Sequence, residues 1–113
     1  MNTLLKNLAI IALLLPGAAS AGDMTPDKFF TLTKTMADDA LKCKVYISIK
    51  DDINDACERM AKGMKPLSLA AQWVLDGNAQ YVNYTLGPNK VRALRTFTDS
   101  YHRSLAYITE YLK

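Results

Sequence analysis

Cys43 and Cys57 are the only cysteines in the 113-residue chain and lie fourteen residues apart. Two sulfurs can serve a redox couple, a metal site, a nucleophile or a cross-link. The spacing is not the C-x-x-C of a dithiol redox centre. A structural zinc ion takes about four protein ligands, and the chain offers one histidine, His102, with no spaced carboxylate pair beside it. In an oxidising compartment two cysteines ordinarily cross-link. A Cys43–Cys57 disulfide is therefore expected, with free thiols and a metal site as the alternatives.

The remaining chemistry-bearing residues are few. His102 has Asp99 one helical turn before it and Ser100 and Ser104 nearby, so a hydrolytic set can be written down. Neither serine sits at the spacing that would present it to the histidine, and no G-x-S-x-G turn or glycine-rich loop is present to bind an oxyanion or a phosphate. Asp38-Asp39 and Asp51-Asp52 do not follow a calcium-loop spacing and read as solvated faces and helix caps. No catalytic residue, metal or cofactor is expected.

The compartment is read from the N-terminus. One positive charge within Met1–Lys6, an apolar run from Leu8 to Leu15, a Pro16-Gly17 break and the small residues Ala19-Ser20-Ala21 form the pattern of a cleaved secretory signal over 1–21. The apolar run is too short to span a bilayer. The expected mature product, 22–113, is a single domain of a bacterial periplasm, or a secreted protein, without stable membrane insertion.

Charge narrows the partners. Residues 22–58 carry eight acidic and five basic side chains, and residues 59–113 carry three and eight. The difference in each part leaves a mature net charge near neutrality, which does not suit a nucleic-acid ligand. The asymmetry suits either pairing of the two halves within the fold or steering of a partner.

Helical signals run through nearly all of 22–113. Thr25-Pro26-Asp27 reads as an N-cap followed by proline at the first helical position, and Phe29, Thr33, Met36, Ala40 and Cys43 recur at helical spacing to about Tyr46. Val45–Ile49 alternates as a strand would, but with no second strand to pair with it is taken as helix end and loop. Asp51 or Asp52 is expected to cap a second helix carrying Ile53, Ala56, Cys57, Met60, Ala61 and Met64, ended by Gly63 and Pro66. A third helix is expected from Ser68 to Gly87-Pro88, with Leu69, Ala70, Trp73, Val74, Tyr81 and Tyr84 on one side, interrupted at Asp76–Asn78. The fourth, Asn89 to Lys113, contains no glycine or proline and carries Val91, Leu94, Thr98, Tyr101, Leu105, Ile108 and Leu112 at steps of three and four. The expected fold is all-α, a small antiparallel bundle of about four helices with one disulfide. The cysteines lie symmetrically about residue 50, in the expected first turn, where antiparallel helices bring equidistant positions together.

Binding chemistry is expected on the fourth helix. Tyr107 and Tyr111 are i, i+4 neighbours off its apolar stripe, and Arg103 extends their row. Tyrosine beside arginine is the composition of interface hot spots. Lys90, Arg92 and Arg95 open the same helix and could steer an acidic partner. The other reading of the tyrosines is packing against the first helix or a chain terminus.

The segment from ALKC to ACERMAKGM, Ala40 to Met64, resembles the start of small, helical, disulfide-bearing periplasmic immunity proteins that neutralise peptidoglycan-cutting effectors of type VI secretion. It covers about a quarter of the chain, and no residue role is carried over from it. The resulting expectation is a non-enzymatic exported protein that binds another protein, as an immunity or inhibitor protein against a secreted toxin or cell-wall-degrading effector. An accessory of a secretion or conjugation apparatus and a periplasmic stress chaperone are the alternatives, and a second copy of the chain is admitted as a partner.

Overall fold

The computed structural model describes residues 23–113; the signal-peptide reading of 1–21 lies outside the described residues. Those residues form helices and no strand. Helix α1 spans Pro26–Lys50, α2 spans Asp55–Trp73, a π-helical turn covers Val74–Asn78, and α3 spans Ala79–Leu112. The described residues thus make two helical runs on either side of the 51–54 turn, the second of them broken at Asp76–Gly77 and at Gly87, rather than four separate helices.

α1 starts as its sequence dictates. The Thr25 hydroxyl accepts from the Lys28 N–H at 3.1 Å, and Pro26 occupies the first turn, where its missing N–H costs nothing. Its end is later than expected: Val45–Ile49 is helical, and Asp51, in the left-handed conformation at φ 53°, closes the helix. Asn54, not Asp51 or Asp52, caps α2, its side-chain oxygen accepting from Cys57 N–H at 3.2 Å.

Gly63 and Pro66 do not stop α2, which continues through both. Pro66 is exposed, so the carbonyl left without a helical donor can be hydrated. Gly63 gives room to the neighbouring helix, since a Cβ there would collide with the Met36 Sδ of α1. The real breaks come later. Asp76 and Gly77 leave helical geometry, with Gly77 at φ 108°, and the turn is tied by Asn78 Nδ2 donating to Trp73 O at 2.7 Å and Gln72 Nε2 donating to Asp76 Oδ1 at 2.9 Å. Gly87, at φ 81° and ψ 168°, then redirects the chain inside α3 just ahead of Pro88. That region of backbone space is open essentially to glycine alone. Gly87→Ala is therefore expected to lower stability by about 1–3 kcal/mol, although a Cβ there meets nothing within 4 Å. An unchanged urea midpoint would show that the kink relaxes freely.

The packing corrects the expectation of an all-antiparallel bundle. α1 and α2 are antiparallel, paired by Asp39 with Arg59 and by Cys43 with Cys57. α1 and α3 are parallel: Lys90 meets Asp27, Phe97 meets Phe30, and Lys44 lies over Tyr107. α2 already brings the chain back to the start of α1, where Trp73 joins the cluster against Phe29 and Phe30, and the short stretch 79–86 between the two breaks connects that end to the part of α3 that runs alongside α1. The main core joins Met36, Ala40, Cys43 and Ile47 of α1 to Ala56 and Met60 of α2 and to Tyr101 and Ile108 of α3. A second cluster of Trp73, Val82 and Leu86 closes the other end against Phe29 and Phe30.

Candidate partner-binding face

The disulfide is formed, with the two Cα atoms 4.7 Å apart and both cysteines buried in the main core. It lies two turns or less from the α1–α2 corner and fixes that corner's geometry. Beside it, Asp39 is buried and its Oδ1 accepts from Arg59 Nε at 3.1 Å. This ion pair supports the same corner, and it had no distinguishing signal in the sequence. Asp39 and Arg59 also bring the acidic first half into contact with the basic second half, as do Asp27 and Lys90.

The Arg103–Tyr107–Tyr111 row runs along α3 toward this corner. Arg103 is exposed, and Tyr107 and Tyr111 are 42% and 38% exposed. Both tyrosines are exposed, and both lie beside α1. Tyr107 lies beside Lys44 within α1, and Tyr111 lies beside Asp51 and Asp52 where that helix closes. Lys44 Nζ sits 5.6 Å from the Tyr107 ring centroid, a cation–π contact that holds the ring in place. The Tyr111 phenol is pushed above its usual pKa, first by desolvation and then by the carboxylates of Asp51 and Asp52. The phenol is protonated at neutral pH, as an ordinary tyrosine is.

Lys90, Arg92 and Arg95 are exposed on α3 but do not join this row. Lys90 is engaged with Asp27 at 3.9 Å and with the Phe30 ring at 5.5 Å. From Lys90 to Tyr111 the axis covers ~30 Å at the usual helical rise. The two groups thus belong to opposite ends of the molecule.

His102 is exposed, whereas Ser104 is buried, so α3 turns these two side chains to different environments. His102 instead edges a cleft of about 360 Å³ between the three helices, walled by Phe29, Met64, Leu67, Tyr101 and Leu105. The hydroxyls of Thr33 and Thr98, also in its lining, donate to the carbonyls of Phe29 and Leu94, which leaves the cleft apolar. Among the described residues, no group of three or more His, Cys, Asp or Glu side chains could hold a metal ion, and no helix is long and apolar enough to cross a membrane.

One surface escaped the helical-spacing argument. Leu41, Val45 and Ile49 form an exposed aliphatic ridge on α1 and Ile53 follows in the loop, with exposures of 45, 45, 70 and 48%. The ridge borders an open cavity of about 890 Å³ at the α1–α2 corner, lined also by Tyr46, Ala56 and Arg59. The strand-like alternation of Val45–Ile49 did not mark it, because its middle member, Ile47, is buried in the core. No protein-family model matches the chain, and neither a curated protein nor a solved structure matches it.

Proposed function

We propose that the chain is an exported, non-enzymatic protein of the periplasm that acts by binding another protein, most concretely as an immunity or inhibitor protein against a secreted toxin or cell-wall-degrading effector. The observation that carries the binding reading is the Arg103–Tyr107–Tyr111 row, two half-exposed aromatic rings held by Lys44 and the acidic end of α1. Such rings bring large contact area at little entropic cost, because their own helix and a cation already restrict them. The disulfide supports export, since cross-links persist in oxidising compartments. The inhibitor role rests on the resemblance of Ala40–Met64 to immunity proteins.

A photoreactive amino acid at position 107, in protein exported by living cells, tests the reading. The expected outcome is a discrete cross-linked adduct whose partner is a toxin or cell-wall hydrolase, absent when the same group is placed at exposed Lys62 on α2. Equal labelling from both positions would remove the row as the binding element. A partner from a secretion channel would retain the row and replace the inhibitor role.

A further inference from the structure

We infer that the cleft between the three helices is a binding site for a small aryl carboxylic acid of about two fused rings, whose carboxylate accepts hydrogen bonds from Tyr101 and His102. This goes beyond the partner-binding reading and uses a different part of the molecule.

The cleft follows from the arrangement of the helices. α2 and α3 each pack closely on α1, and neither backbone closely approaches the other. α1 therefore forms a floor between two walls that stand apart. The space left is about 360 Å³, a size found among small-molecule sites. It equals roughly a dozen water volumes at ~30 Å³ each and takes about that number of non-hydrogen atoms. A bicyclic aromatic ring bearing a carboxyl group has this size.

One buried polar group in the lining has no partner. Tyr101 is 8% exposed and sits in the main core. Burial alone pushes its phenol above the usual range, with no hydrogen bond contributing. Among the described residues no buried side-chain oxygen or nitrogen is sealed away without a partner, so the hydroxyl opens on the space that its residue lines. The Thr33 and Thr98 hydroxyls are already spent on the carbonyls of Phe29 and Leu94. The donors left for a ligand are Tyr101, His102 and Ser68, and no carboxylate or amide side chain lines the cleft. The ligand must then bring the acceptor, and a carboxylate offers about four acceptor sites where a carbonyl oxygen offers about two.

The position of these donors sets the shape of the ligand. Ser68 falls midway between Met64 and Ala71 on α2, and Tyr101 and His102 fall midway between Thr98 and Leu105 on α3. A carboxylate held there has apolar wall on either side of it. That suits a broad ring system carrying its acid on a long edge, rather than a linear chain with the acid at its end. Met64, a flexible thioether in the lining, can adapt to the ring.

Charge favours an anion. The lining spans with two residues added at each end, 27–35, 62–73 and 96–107, carry five lysine and arginine side chains against Asp27 and Asp99, so the site lies in a net positive field.

Isothermal titration calorimetry of the exported, oxidised protein with sodium 1-naphthoate tests the inference. The expected dissociation constant is on the order of 10–100 µM, accompanied by a shift of the Met64 methyl signal in NMR spectra. Tyr101→Phe keeps the ring and removes only the hydroxyl. It should weaken binding at least ~10-fold and leave the urea midpoint unchanged. 1-Naphthamide, with the same rings and a neutral amide, should bind the wild type at least ~10-fold more weakly than naphthoate. Ala71→Phe places a ring inside the cleft and should abolish binding, and Ser68→Phe serves should that variant fail to fold. Ile49→Lys, on the exposed ridge of α1, should bind normally, which separates the cleft from uptake on other apolar surface. Absence of both heat and Met64 shift at about 2 mM naphthoate, far above the expected constant, overturns the inference and leaves the cleft to a side chain of a protein partner. Naphthoate bound as tightly by Tyr101→Phe or by a folded Ala71→Phe or Ser68→Phe variant, or matched by naphthamide, overturns it equally.

Discussion

Reduction of the Cys43–Cys57 bond is expected to lower stability by about 3 kcal/mol, and the Tm by roughly 10–20 °C for a domain of this size. The bond closes a segment of fourteen residues, which in the oxidised unfolded chain stays constrained and in the reduced chain is free. Both sulfurs lie in the main core, so the folded protein keeps its packing on reduction and the loss falls mainly on the unfolded side. Urea titrations with and without reductant measure it. The expected signature is a lower midpoint accompanied by a steeper dependence on urea, because the freed chain exposes more surface on unfolding. A reduced protein with an unchanged midpoint would show that the α1–α2 corner is held by Asp39–Arg59 and core packing alone.

How much of this was legible in the sequence varies with how local each cause is. Thr25-Pro26 marks the start of α1 because cap chemistry needs only neighbouring residues, and the capping bond is present. The cysteines were readable as a staple from their number and expected compartment, whereas the symmetry about residue 50 misplaced the corner: it lies at 51–54, with Cys43 about two turns before it and Cys57 in the first turn after it. The stripe of α3 beyond Pro88 was readable because its spacing is local, with Tyr101 and Ile108 in the core. Other features depend on tertiary context.

Gly63 and Pro66 carry the usual marks of a helix end, yet Gly63 is kept by its contact with Met36 and Pro66 by solvent. Asp51 was read as opening a helix and closes one, because its left-handed conformation is set by the preceding turn of α1. Leu69, Tyr81 and Tyr84 were assigned to one apolar side, and all three are exposed. The phase of a helix does not survive a π turn and a glycine of positive φ. The parallel course of α1 and α3 followed from these breaks, which shorten the third expected helix to a connection. The ridge at Leu41, Val45 and Ile49 was hidden because α1 is apolar on more than one side, and spacing alone does not say which side another helix covers.

Paired alanine substitution of Tyr107 and Tyr111 is expected to separate binding from folding. In the free protein the two rings are 42% and 38% exposed, and Tyr107 additionally loses its contact with Lys44, worth about 0.5–1 kcal/mol at an exposed site. The stability cost should therefore stay near ~1 kcal/mol, measured as a small shift in the urea midpoint. Binding should suffer far more. A desolvated aromatic anchor costs about 2 kcal/mol or more on truncation, which is at least ~30-fold in affinity.

The measurement is the affinity for whichever partner the position-107 cross-link identifies, titrated by fluorescence anisotropy with wild type and variant. Arg103→Ala should weaken the same interaction, being exposed in the same row. Removal of Lys90, Arg92 and Arg95, ~30 Å along the axis from Tyr111, should alter chiefly the salt dependence and rate of association with an acidic partner. Variants that bind normally with both rings removed would move the interface off this row, and a variant that unfolds would make the tyrosines part of the α1–α3 packing. In the first case the three cations at the other end of α3 become the residues to remove, since their charge reaches a partner at a distance that the tyrosines cannot.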